Sequence, residues 1–328
     1  GGLRELVGTR KFYKKVLLVA VPIMIQNGIT NFVSLLDNIM VGQVGTEQMS
    51  GVAIANQLVF IFNLCIFGAV AGAGILGAQF YGSGNSEGGR DTFRFKLLFG
   101  VILSAIFAVI FLTVGEPLIQ QFIHQGEGIG DLEATRSYGK AYLEVIVIGI
   151  LPFALTQCYS GTLRETGETV IPMIAGIIAV LVNLVFNYIL IFGKLGAPEL
   201  GCVGAAIATV LSRFVELAIV AGWTHKHVAR NPFIRGALRS FKIPGGLLKQ
   251  IIAIGLPLFI NELMWSFGIT FMTQCYSVRG LEVVAAFNIA NTISNVFNVV
   301  FLSLGNSVGI IIGQMLGAGR LEEAKRED

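Results

Sequence analysis

A single carboxylate, Asp37, stands late in an apolar stretch, NFVSLLDNIMVGQVG over 31–45. The apolar run begins near Lys15 and ends at Gly42, a length that fits a membrane-crossing helix. Carrying a carboxylate into a bilayer costs roughly 2.5–3.5 kcal/mol on insertion scales, so the residue needs a partner or a role. Its place near a helix C-terminus adds to the cost, because the macrodipole disfavours negative charge there. A carboxylate under both pressures suits reversible chemistry, taking up and releasing a proton or holding a cation. The structural alternative is a carboxylate satisfied by neighbouring hydroxyls and amides.

Few other side chains inside the apolar runs can do chemistry. Asn183 and Asn187 lie four residues apart, so they share a helix face and can approach one partner together. Interhelical hydrogen bonding alone, worth about 0.6 kcal/mol each, would also explain them. Glu262 sits five residues after Pro257. Arg213 and Glu216, three apart, are expected to pair locally. The four cysteines (65, 158, 202 and 275) show no metal-ligand spacing and read as small hydrophobes. His124, His225 and His227 fall in stretches read as loops, with HKH at 225–227 part of a basic membrane-facing segment rather than a metal site. No metal centre and no cofactor are expected. The stretch GSGNSEGGRD lacks the GK[ST] ending of a P-loop, so ATP is not expected to be the energy source.

The elements that must position these groups are membrane helices. Hydrophobic residues make up 54% of the 328 and charged ones only 13%, too little charge to cover a soluble surface of this size. Eight apolar spans are predicted, at roughly 16–41, 52–80, 95–115, 140–163, 170–193, 202–223, 250–275 and 283–316. A short basic, amphipathic lead-in covers 3–15. Polar turns are predicted over 81–91 and 116–139, and a basic linker over 225–249. The small-residue run GCVGAAIAT opening span 6 suits close helix approach. Pro22, Pro152 and Pro257 are expected to kink their helices. Counting alternate loops, 18 of the 23 Lys and Arg fall on the side of the N-terminus, against Arg136, Lys140, Lys194 and Arg279 on the other. The positive-inside rule then puts the N-terminus in the cytoplasm and Asp37 in the outer half of the bilayer.

The chain also repeats itself. A shift of 235 residues lays VPIMI (21–25) on LPLFI (256–260), IAN (54–56) on IAN (289–291), and Gln79, Gly82 and Gly84 on Gln314, Gly317 and Gly319. About 16 identities over roughly 70 ungapped positions point to duplication. The period holds six spans, an even number, so the copies cross in the same sense, as parallel repeats of transporters do. The expected organisation is a six-helix lobe over 1–224, a cytoplasmic linker over 225–249, and the first two helices of a second lobe over 250–328. A fragment four helices short of two full copies is therefore expected; separately, Gly1 in place of Met points to a fragment at its start.

In LLDNIMVGQVG (35–45), GTLRETGETVIP (161–172), NLVFNYILIFG (183–193), GCVGAAIATVLSRFVE (201–216) and LPLFINELMWSFG (256–268), the sequence resembles the multidrug and toxic compound extrusion (MATE) family along essentially its whole length. The resemblance implies an all-α, two-lobed bundle around a central cavity that exports small organic cations in exchange for H⁺ or Na⁺. It implies coupling at Asp37, the helix 1 acid, with Na⁺ as one candidate ion, and a facing position for Asn183 and Asn187. Some members carry a second acid where this chain has Asn187. Sodium-coupled members bear an acid in the helix of Glu262, which makes that residue a candidate second site. A flippase for lipid-linked oligosaccharides would call for several basic residues in the cavity. The sequence offers Asp37, Glu262 and Glu216 against Arg213, a balance that favours cationic cargo. A receptor or scaffold without a transport cycle is the remaining alternative; neither enzymatic activity nor nucleic-acid binding is expected.

Overall fold

Residues 7–125, 131–277, 279 and 281–327 are described by the computed structural model. They form α1 (Arg10–Gly42), α2 (Thr46–Ser83), α3 (Ser86–Gln125), α4 (Leu132–Glu165), α5 (Val170–Phe192), α6 (Cys202–Lys226), α7 (Gly245–Ser277), α8 (Leu281–Gly317) and the short α9 (Leu321–Glu327). Eight of these are long and apolar enough to cross a membrane, and they are the eight predicted spans. Consecutive helices alternate in direction. We call the end carrying the start of α1 basal and the end carrying Gly42 distal.

Most helices outrun the apolar limits read from the sequence. The polar turn predicted over 81–91 is present but shorter, confined to Gly84 and Asn85 between α2 and α3. Gly84 (φ 73°) closes α2 in the left-handed region that favours glycine, and the Asn85 Oδ1 accepts from the Gly88 N–H at 2.9 Å to start α3. The predicted turn over 116–139 is likewise largely helix. α3 runs through Pro117 to Gln125, and Asp131 caps α4 by accepting from the Glu133 and Ala134 N–H groups. Glu116 joins Lys140 at 2.9 Å and Arg136 at 3.6 Å, so charges read as loop residues tie two helix ends together. Residues 126–130, inside that predicted turn, and the start of the lead-in over 3–15 lie outside the described residues, as does the His124 side chain.

The linker also departs from expectation. His225 and Lys226 still belong to α6, and the His225 Nε2 lies 2.9 Å from the Tyr159 hydroxyl. His227 bonds back to the Trp223 carbonyl through Nδ1. Two short 3₁₀ turns, Pro232–Ile234 and Ala237–Arg239, bury Phe233, Ile234 and Ala237. Phe233 packs edge-on to Phe93 of α3, and Arg94 donates to the Ala237 and Gly236 carbonyls at 2.9 and 2.8 Å. The apolar residues in the middle of this basic stretch are thus docked on protein, while Arg235, Arg239 and Lys242 stay exposed.

Two apolar cores hold the first six helices. One packs Phe62, Ile66, Phe111, Ile119, Leu143 and Ile146; the other packs Phe93, Leu97, Tyr159, Leu163 and Val220. At the small-residue run, a Cβ on Gly204 would lie 2.6 Å from the Leu190 carbonyl, so α5 and α6 approach as closely as predicted. α7 and α8 lean on the bundle mainly through α2. A Cβ on Gly82 would overlap Gln314, and one on Gly317 would overlap Gln79. These contacts exchange under the 235-residue shift, so the two copies of the repeat meet each other through equivalent residues.

Candidate functional site

α1, α2, α4, α5 and α6 enclose a chamber of ≈560 Å³. On its distal side, Asp37 meets α5. The Asn183 Nδ2 donates to Asp37 Oδ2 at 3.3 Å, and the Asn187 Nδ2 donates to Asp37 Oδ1. Helical spacing dictates this fork: residues four apart on α5 present two amides to one carboxylate. Asn187 is buried and Asp37 half-buried. With both amide nitrogens turned to Asp37, Asn183 Oδ1 and Asn187 Oδ1 are left buried without a hydrogen-bond partner. An unsatisfied buried oxygen costs roughly 1–3 kcal/mol, so two of them beside a carboxylate form an oxygen-rich pocket suited to a cation or a proton donor.

The other charged residues of the chamber come from α4 and α6. The Arg164 Nη2 donates to Gln26 Oε1 of α1 at 2.9 Å, while its Nε is buried without a partner. Arg213 lies over the Phe153 ring, 4.5 Å from its centroid. The expected local pair between Arg213 and Glu216 is not made: the guanidinium turns to the aromatic face instead, where the ring quadrupole attracts it. Tyr142 donates to Asn56 Oδ1 at 3.2 Å.

Asp37, Asn183 and Asn187 are therefore brought together. Glu262 is not among them. It is exposed on α7 and takes no part in the chamber wall. Arg164, counted in the sequence as a loop charge, faces the chamber. The balance read from the sequence, three acids against one base, becomes Asp37 and Glu216 against Arg164 and Arg213. A signal was present: Tyr142, Phe153, Gln157 and Arg164 recur at helical spacing along one face of α4.

A second polar cluster lies nearer the basal end. Lys96 of α3, 1% exposed, pairs with Glu165 of α4 and donates to Thr162 Oγ1 at 3.1 Å. Gln314 of α8 donates to the Glu165 carbonyl at 2.7 Å. The sequence reading missed this pair, because each partner sits at the edge of an apolar run where a charge passes for a loop residue. Among the described residues, no group of His, Cys, Asp and Glu is arranged to hold a metal ion.

The model of the MatE family matches residues 22–189 and 257–327, two segments that begin 235 residues apart. The probable multidrug resistance protein NorM of Thermotoga maritima is 28% identical over 312 residues, covering 94% of this chain and 64% of that protein. A crystal structure of MATE in complex with MaD3S superposes with a TM-score of 0.85 at 25% identity, over 99% of this chain and 70% of that one. A MOP superfamily transporter from Pyrococcus furiosus, described as having a binding pocket of reverse polarity that suggests a different function, gives a TM-score of 0.80 at 25% identity over 99% of this chain and 69% of that one.

Proposed function

Because this chain belongs to the MatE family, we propose that it acts in a secondary active antiporter, exporting small drug-like molecules with a cationic group in exchange for H⁺ or Na⁺. The observation that carries the proposal is the fork of Asn183 and Asn187 on Asp37 at the wall of the chamber. As a free carboxylate, Asp37 accepts from both amides. Protonation or cation binding neutralises that charge and competes with the amide bonds for the carboxylate oxygens. Substrate and coupling ion then compete for one negative site, and each favours the conformation in which it binds better. Glu262 is left out of the proposed site, since it lies outside the chamber.

The division into a lobe over 1–224, a linker over 225–249 and the start of a second lobe over 250–328 belongs to the same proposal, and the reciprocal meeting of α2 and α8 supports it. So does an N-terminus on the cytoplasmic side of the cytoplasmic membrane. Of the 18 basic residues that favour that orientation, buried Lys96 and chamber-facing Arg164 drop out, leaving 16 against 4. Efflux of a cationic dye, with the proton and sodium gradients collapsed separately, tests the proposal. Dependence on one gradient is expected, and efflux that survives collapse of both would refute antiport.

A further inference from the structure

Outside the chamber, α2, α3 and α7 enclose a groove of ≈300 Å³ with no charged side chain among its described lining residues. Phe95, Phe99 and Leu103 line it from α3 at helical spacing, and Ile252, Leu256 and Phe259 line it from α7. A Cβ on Gly72 would overlap Gly255, so α2 and α7 touch along their backbones. Counted from the basal ends of α3 and α7, the lining residues lie on the order of 10–25 Å down the helices. That depth suits the acyl chains of one leaflet, in a bilayer about 40–45 Å thick with its headgroups.

The internal repeat argues against a further helix as the occupant. Ile252 and Leu256 are 51% and 55% exposed. Their equivalents in the first copy, Leu17 and Val21, stay 52% and 43% exposed although α2 to α6 complete that copy. A complete copy therefore leaves this face of its first helix to the bilayer.

Charge selects the lipid. From Leu217 to Asn261 the sequence holds six Lys and Arg and no Asp or Glu. Arg235, Arg239, Lys242 and Lys249 are exposed, and none makes an ion pair among the described residues. Lys249 lies three and seven residues before Ile252 and Leu256, so it stands on the groove face of α7, one turn nearer the basal end. Lys242 adjoins Ile243, which packs with the cluster of Leu247, Ile251 and Phe95 beside the groove. Leu238 and Phe241, exposed between the bases, suit insertion among headgroups. Of the acids that open α3, Asp91 is held by Arg94 at 3.2 Å, which leaves exposed Glu87 as the opposing charge.

We propose that the groove holds an acyl chain of an anionic phospholipid whose headgroup is bound by Lys249, Lys242 and Arg239. A zwitterionic lipid would fill the groove equally well but offer these bases no net charge. The site is separate from the chamber and stands or falls independently of antiport.

Native mass spectrometry tests it on the purified, delipidated chain, titrated in detergent with dioleoyl phosphatidylglycerol or dioleoyl phosphatidylcholine. The anionic lipid should be retained with at least about fivefold higher affinity. Arg239→Gln, Lys242→Gln and Lys249→Gln together should bring the two lipids within about twofold of each other. Lys14→Gln and Lys15→Gln together, at the basal start of α1, should leave the preference in place. Ala69→Phe, which fills the groove, should weaken retention of both lipids. Equal retention of the two lipids by the unsubstituted protein overturns the inference, whether or not the variants fold. So does a preference that survives the three linker substitutions, or one lost with Lys14→Gln and Lys15→Gln. Undiminished retention by Ala69→Phe refutes the groove as the acyl site. Self-association on delipidation, in place of lipid retention, would give the groove to a partner helix and overturn the inference as well.

Discussion

Phe62 and Phe297 are the same residue at equivalent places of the internal repeat, 235 positions apart, yet one is fully buried and the other 59% exposed. Phe62 meets Phe107 and Phe153 at centroid distances of 5.3 and 6.4 Å, rings contributed by α3 and α4. No described helix plays that part for Phe297. The contrast extends along both helices of the second copy, where Met264, Trp265, Phe267, Phe301 and Leu302 are exposed. The repeated sequence therefore stands in two different environments among the described residues. Asp37 marks the opposite kind of difference: its equivalent is Met272, so the carboxylate is not repeated in the second copy.

The largest effect should come from that unshared position. Asp37→Asn keeps size and hydrogen-bonding capacity but removes the charge, and it should abolish gradient-driven dye efflux at normal expression. Met272→Ala should hold efflux within about twofold, as expected of an exposed site. Undiminished efflux by Asp37→Asn would leave the carboxylate structural and erase the functional asymmetry of the copies.

Next comes packing. Phe62→Ala should cost about 3–5 kcal/mol of stability, through lost burial and the cavity left behind. Phe297→Ala should cost less than about 0.5 kcal/mol. Thermal unfolding of the two variants in the same detergent checks the pair, and equal losses would break the comparison.

The crossing of α2 and α8 is where the copies should behave alike. Gly82→Ala and Gly317→Ala each push a methyl into the facing backbone and should each destabilise by about 1–3 kcal/mol. A large loss at one and none at the other, in the same melting assay, would show that the crossing is not reciprocal in energy. The smallest effect belongs to Glu262→Gln. This exposed carboxylate outside the chamber should leave efflux within about twofold. A loss comparable to that of Asp37→Asn would restore it as a second site.

Much of this was legible in the chain. The eight spans follow from runs of apolar residues, and the approach of Asn183 and Asn187 to one partner follows from helical spacing; the repeated Gln and Gly positions show the duplication but not that α2 and α8 meet there. Other features were hidden for definite reasons. Hydropathy marks the apolar slab and not the helix, so α3 and α4 continue past it on capped, ion-paired ends. A charge at the edge of a span reads as solvated until its neighbours are known. That is why the buried Lys96–Glu165 pair and the inward-facing Arg164 were both counted among loop residues. Arg213 turned to Phe153 rather than Glu216, because proximity in sequence says nothing about a ring on another helix.

The two hydrogen bonds from Arg94 to the Gly236 and Ala237 carbonyls set a length. They fasten the linker to α3, and α7 begins at Gly245, so between the 3₁₀ turn ending at Arg239 and that helix only Ser240 to Pro244 can act as a leash. The six steps from Arg239 to Gly245, fully extended, reach at most about 22 Å. However α7 rocks against α2, its first turn stays within that radius of an anchor on the first six helices. The first turn of α7 is thereby tethered to the basal end of the first six helices.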